Sequence, residues 1–368
     1  MAYTTIDDPS AHFQTATFAG NGSTVVTVTN DGNSDLSPDL LWFKRRDDSP
    51  NHVIMDTTQG ANITSGNGPS GYNVPSNPSS TAAQVADSTG VMTITSDGFT
   101  SKEMSYASGN VSTGSMCCWQ WKMNGGTSAS NTDGNITSTV QANTTAGQSI
   151  VTWTGNEQSA ASVGHGLDQT PEMVFFKRGN STYNWVVWLG QLGLVGGNNM
   201  FAYLNLNNAA EQAAGFDFTS TLLKPGSGAT TNSGNMFAYC FHSVKGYSKF
   251  GTYIGNASAD GPFVYTGFKP AFVLAKIVPH AGWDWAIMDN TRTPTNANGT
   301  YEWLWANLAA AEFTDGDSGI NMELDFLSNG FKIRTARNEL NYNGAQFIYM
   351  CFAEQPFVTS TGIPTTAR

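Results

Sequence analysis

GTYIGN at Gly251–Asn256, PAFVLAK at Pro270–Lys276, DWAIMD at Asp284–Asp289, LDFLSNGFK at Leu324–Lys332 and GAQFIYMCF at Gly344–Phe352 decide how this chain is read, because each block has counterparts upstream in the same order. The opening block is an aromatic residue, a spacer and Gly-Asn, and it occurs at Phe18–Asn21, Trp153–Asn156 and Tyr253–Asn256. The proline-to-lysine block reads PDLLWFK from Pro38, PEMVFFK from Pro171 and PAFVLAK from Pro270, which sets Lys44, Lys177 and Lys276 at one offset. NHVIMD, NWVVWL and DWAIMD follow; the first and third end in Asp56 and Asp289, the second in Leu189. Next come small-residue knots, Ala82-Ala83-Gln84, Ala209-Ala210-Glu211 and Ala310-Ala311-Glu312, each followed by a strand-like run. Gly98 and Gly330 in those runs have no match in the middle copy, and the closing blocks end in CCWQW, FAYCF and IYMCF. Ordered self-similarity of this kind is the signature of a repeated structural unit.

The units read as β structure. GSTVVTVTN from Gly22 alternates a β-branched face with a Ser/Thr face, the period of a half-exposed strand. Residues 40–43, 173–176 and 272–275 are apolar on both faces, so this block is expected to be a central strand, with the lysine laying its stem on the core and keeping its amine in water. Helix signals are few, Glu302–Phe313 being the best. The expected fold is all-β: three tandem antiparallel β-sandwich repeats, jelly-roll or lectin-like, of about 100 residues each. The expected boundaries are a leader at 1–11, repeats at 12–122, 148–245 and 246–357, a flexible or extended linker at 123–147 and a tail at 358–368. The second and third repeats, joined without a spacer, are expected to pack as the tighter pair.

Composition excludes several functions. Only 12% of residues are charged, the formal net charge is −11 and no basic run exists, which argues against nucleic acid. No apolar run approaches the roughly 20 residues of a membrane helix, so no membrane insertion is expected. MAYTTIDDPSA lacks the basic and apolar segments of a secretory signal. Cys117, Cys118, Cys240 and Cys351 all fall in closing blocks and are expected to be reduced and buried.

Candidate sites are sparse. Asp31, Asn33 and Asp35 are spaced like the start of a calcium loop, but the glycine and glutamate that complete such a loop are missing, which favours a turn; Asp315 and Asp317 form a weaker echo. His165 sits between glycines without an accompanying nucleophile elbow. Asp47 with Asp48, and Asp284 with Asp289, have the composition of a glycosidase pair, yet Asp56 and Asp289 recur at one repeat position, as scaffold would. No catalytic residue and no cofactor is therefore assigned. Three Trp-X-Trp pairs occur at Trp119/Trp121, Trp283/Trp285 and Trp303/Trp305, each a core plate or an exposed platform. Trp303 and Trp305, with Asn296 and Asn298 nearby, are the candidate sugar-stacking site, in the variable loop Thr291–Asp317; the long loop Gln59–Val91 is the other candidate recognition segment.

The order FAGNGS, SPDLLWFKRR, HVIMDTTQG, TSDGF, QANTTAGQSIVTWTGN, VGHGL, GYSKFGTYIGNASADGPFVYTGFKPAFVLAK, LSNGFK and YMCFAEQPF spans nearly the whole chain. It resembles the tail-fibre-like structural proteins of marine tailed bacteriophages, of the cyanophage and pelagiphage type. The resemblance implies a non-enzymatic virion component assembled in the host cytoplasm, a homo-oligomer with a trimer favoured, contacting other tail or head proteins and a host surface glycan or outer-membrane protein. A tail-tip, baseplate or capsid-decoration subunit is the alternative, and a surface-polysaccharide depolymerase a further one.

Overall fold

The structure, a computed structural model, describes residues 3–22, 25–59, 78–84, 92–101, 114–158, 160–190, 192–197, 199–212, 215–226, 234–296, 301–315 and 321–364. The fold is all-β, built of antiparallel sheets, with a short helix at Asn338–Asn341 and a 3-10 turn at Pro9–Ala11. Three large sheets repeat one hydrogen-bonded order. In the first, the opening strand Phe13–Ala19 pairs with the closing strand Ser115–Trp121, which pairs with the proline-to-lysine strand Leu40–Arg45, which pairs with Val53–Asp56. The corresponding strands are Gln148–Thr154, Asn235–Phe241, Met173–Arg178 and Val186–Leu189 in the second sheet, and Ser248–Ile254, Gln346–Pro356, Phe268–Ile277 and Ala286–Asp289 in the third.

Register is the same in all three. Leu40 lies opposite Trp121 and Asp56, Met173 opposite Phe241 and Leu189, and Phe272 opposite Phe352 and Asp289. Lys44, Lys177 and Lys276 therefore occupy equivalent places, opposite Cys117, Phe237 and Ile348. Each large sheet is accompanied by a three-stranded sheet: Val26–Val28 with Phe99–Ser101 and Met92–Ile94, Val163–Gly164 with Leu222–Pro225 and Phe216–Phe218, and Phe263–Tyr265 with Gly330–Ile333 and Leu324–Leu327. A Cβ on Gly98 or Gly330 would fall 2.1 Å from Val28 O or 2.0 Å from Val264 O. The middle unit instead has Leu222 there, paired with Gly164, so the small residue has moved to the facing strand.

The doubly apolar central strands have a physical reason, since successive strand residues face opposite ways. Leu41, Phe43 and Cys118 share a buried cluster with Val28 and Phe99 of the small sheet; Val174, Phe176 and Cys240 do so with Phe218 and Leu223, and Val273, Ala275 and Cys351 with Phe326 and Phe331. On the other face, Leu40, Trp42 and Trp121, Met173, Phe175 and Phe241, and Phe272, Leu274 and Phe352 all join a single cluster common to the three units.

One backbone bond recurs at equivalent positions between successive units, and the set closes. Gln84 N donates to Gly179 O (2.8 Å), Ala210 N to Val278 O (2.8 Å) and Glu312 N to Arg46 O (2.7 Å). Each acceptor is the second residue after the repeat lysine, so each small-residue knot docks on the next unit and the third returns to the first. A head-to-tail contact whose rotation closes makes a ring, here within one chain.

Four expectations are corrected. The first unit bonds both neighbours, so the second and third are not a separate, tighter pair. Residues 123–147 are not a flexible linker: Ala129–Asn131 and Ser138–Asn143 extend the second sheet beyond its opening strand, and Gln141 accepts hydrogen bonds from Thr57 and Thr58 of the first unit. The alternation of buried Ser138 and Val140 with exposed Thr139 is a strand period hidden by a loop-like composition. The lysine amines are not in water, because all three side chains are buried and donate to carbonyls: Lys44 to Arg45 and Asp48, Lys177 to Thr81, Ser181 and Tyr183, Lys276 to Ile277. Glu302–Trp305 is a strand rather than the start of a helix.

The leader is also tied down. Ile6 enters the common core, Thr4 Oγ1 donates to Lys245 O, and Asp7 accepts from Ser360 of the tail. The four cysteines are free and buried, and burial raises Cys117 and Cys240 to about 12.

Candidate functional site

The structure removes the sequence-derived stacking site. Trp303 and Trp305 are 0% and 7% exposed, and Trp303 stacks on Phe313 inside the third unit's core. Two residues apart on a strand, they share one face, which packs into the third unit's core, while Leu304 between them enters the common core on the other. Asn296 is spent on structure, its amide bonded both ways to the Phe326 backbone (2.8 and 3.0 Å), while Asn298, Asp317 and most of the Gln59–Val91 loop lie outside the described residues. Trp119, Trp121 and Trp285 are likewise core residues.

The carboxylate and histidine candidates resolve into scaffold. Asp47 pairs with Arg45, and Asp284 accepts from Asn307 (2.6 Å). Asp289 accepts from Arg292 Nε (2.5 Å) and from Trp119 Nε1 of the first unit (2.9 Å). His165 is buried between Thr219 O and the Leu167 amide, and burial holds its pKa down to about 4. Asp31, Asn33 and Asp35 lie exposed in a turn that Gln14 braces from below, donating to Ser34 O and accepting from Gly32 N. Among the described residues no three His, Cys, Asp or Glu groups are placed to hold a metal ion.

The polar chemistry concentrates where units meet. Between third and first, Arg292 is fully buried and bridges Asp289 and Glu312, while Arg46 holds Glu312 and Glu302. His52 receives Trp42 Nε1 on Nδ1, so its Nε2 proton donates to Trp305 O (3.0 Å), and burial keeps the ring neutral. Between first and second, Asp56 accepts from Tyr239 (2.7 Å) and Gln59 (2.5 Å), and Gln84 donates to Gln59. Between second and third, the matching positions Leu189, Leu192 and Met350 belong to the common apolar core.

Two kinds of surface feature remain. Phe263 and Tyr265, 46% and 55% exposed, stand on the outer face of the third small sheet with buried Val264 between them; they are the only large exposed aromatics among the described residues. Tyr3 joins them, its hydroxyl 3.2 Å from that of Tyr265. The same positions hold Thr27 and Thr29 in the first unit and Ser162 and Gly164 in the second. The FVY triplet has the same aromatic-X-aromatic spacing as the tryptophan pairs, and its flanking polar loop was the signal that it faces out. The second kind is a set of clefts: about 430 Å³ between the first and third units, about 380 Å³ between the first and second beside Gln59 and Gln84, and about 460 Å³ beside His242 and Glu172.

The fold defines an all-β scaffold built of antiparallel sheets. The chain belongs to the family described as a domain of unknown function, DUF7483, whose pattern matches residues 8–356. That match takes in all three units. No curated protein and no solved structure matches the chain.

Proposed function

We propose that the chain is one β-sandwich unit used three times, closed into a ring, and that it serves as a non-enzymatic tail-fibre or tail-associated adhesion protein of a tailed phage. The observation that carries this reading is the pair Phe263 and Tyr265, held out to solvent on a rigid outer sheet at positions where the other two units have small or hydroxyl side chains. Large aromatics left exposed on an otherwise polar surface mark interaction sites, and a flat ring suits the C–H face of a surface glycan or an apolar patch of a host protein. The virion location, and self-association as a trimer, belong to the same proposal. It is tested by replacing both residues with serine in the phage and measuring adsorption to host cells. Loss of adsorption from normally assembled particles is expected; unchanged adsorption overturns the reading.

A further inference from the structure

In the third unit an amine and a carboxamide meet on one carboxylate. Lys269 Nζ donates to Glu354 Oε1 (2.9 Å), and Asn290 Nδ2 donates to Glu354 Oε2. The three residues come from adjacent strands: Lys269 from Phe268–Ile277, Glu354 from the closing strand Gln346–Pro356, and Asn290 from the position just after Ala286–Asp289. Asn290 is pinned by its backbone, whose N donates to Ala271 O (2.9 Å), two residues along the strand from Lys269. Lys269 and Asn290 are 8% and 6% exposed, so both reacting groups are held and largely shielded from water. The fold does not require this trio. At the matching repeat positions the first unit has Ser37, Met123 and Thr57, and the second has Thr170, Ser243 and Gly190, yet both build the same sheet.

The arrangement has the parts of an amide exchange. One oxygen of Glu354 is within general-base reach of the nucleophile, and the other touches the nitrogen that would leave. Fixing both partners replaces a bimolecular encounter with an intramolecular one. We propose that the chain crosslinks itself through an amide between Lys269 and Asn290. Glu354 takes a proton from the Lys269 ammonium, the freed Nζ attacks Asn290 Cγ, and the Cγ–Nδ2 bond breaks as Nδ2 takes that proton from Glu354. The remaining surplus proton on Nζ passes to the departing ammonia, which leaves as ammonium, and Glu354 is again a carboxylate. No oxidant, metal or co-reactant is consumed. The reaction runs once per chain and does not depend on the adhesion reading. It staples the start of the central strand to the end of its neighbour, beside Asp289, which receives Trp119 of the first unit where the ring closes.

The test is the mass of the whole purified protein. The native chain should be lighter by one ammonia than its sequence requires, whereas Lys269→Arg and Glu354→Gln should each have full mass. Trypsin does not cut between Lys269 and Pro270, so a digest of the native chain should release residues 250–276 joined to residues 277–292, with fragmentation placing the link at Lys269 and Asn290. That measurement needs no variant and decides the matter if a variant fails to fold. Full mass in the native protein, with the two tryptic peptides separate, overturns the proposal. Loss of ammonia that persists in Lys269→Arg also overturns it, because the Asn290 side chain would then have closed on its own backbone at Thr291. Loss that persists in folded Glu354→Gln overturns the assigned proton transfer.

Discussion

The contact between Asp56 and Tyr239 offers a direct measure of how strongly neighbouring units are coupled. Asp56 is 4% exposed and accepts from Tyr239 Oη (2.7 Å), Gln59 Nε2 (2.5 Å) and the amides of Thr58 and Gln59 (2.9 Å each). Burial still outweighs these four bonds and raises its pKa, so each donor matters to the carboxylate. Tyr239→Phe removes one charge-assisted bond and should cost about 1.5–3 kcal/mol. Asp56→Leu, the solution the chain itself uses at Leu189, leaves all four donors without their acceptor and should cost about 3–5 kcal/mol. The double variant should cost less than the sum by about 1.5–3 kcal/mol, because both single changes lose the same bond. Urea unfolding followed by tryptophan fluorescence and circular dichroism reads these values. The common core also predicts one transition in which both probes coincide. A coupling below about 0.5 kcal/mol, or separate transitions for separate units, would refute the argument that the units fold against one another.

Much of this was legible in the sequence, but unevenly. The five blocks placed the strands, and the invariant offset of Lys44, Lys177 and Lys276 proved to be an invariant register. What sequence alone left out was the second face of the central strands. Leu40, Trp42 and Phe272 read as core, yet nothing in their local pattern says that the core is shared between units. The same omission misplaced the lysines, whose amines are covered by a neighbouring unit or by their own turns, and the tryptophans at 303 and 305, whose strand is buried on both faces, Leu304 lying in the shared core. The middle copy looked worn because its differences were read one at a time. Leu189 and Leu192 stand where Asp289 and Arg292 stand, and Met350 stands where Trp119 stands, so an acid, its partner and its donor have been exchanged together for apolar groups. Three junctions with one geometry and three chemistries, ionic, amide and apolar, give each unit a single matching neighbour. Mismatched pairing would bury a charge opposite a leucine, which is costly. The ring order is thereby specified as well as closed.

The remaining expectations follow from burial. Trp303→Ala and Trp305→Ala should each destabilise by about 3–5 kcal/mol in urea unfolding, as large core truncations do, whereas Phe263→Ser should change stability by no more than about 0.5 kcal/mol; equal effects would contradict the assignment of core and surface. The buried cysteines should react with a thiol dye only on unfolding, and prompt labelling of the native protein would refute that. The three lysines predict an unusual pH dependence. Burial lowers each from an ordinary value of 10.5 to about 8. Between those values the unfolded chain binds protons that the native state does not, so stability rises with pH. Below about 8 both states are protonated and the cost is constant. Opposing groups enter above 9.0, the ordinary cysteine value, because burial raises the native thiols and the unfolded chain then loses protons first; buried tyrosines act likewise above 10.0. The urea midpoint should therefore climb from about pH 7.5 to about pH 9 and then turn over. Lys276→Met should remove about a third of the climb, since the three lysines are equivalent. A midpoint that is flat or falls from pH 7.5 to 9 would show that the amines reach water after all.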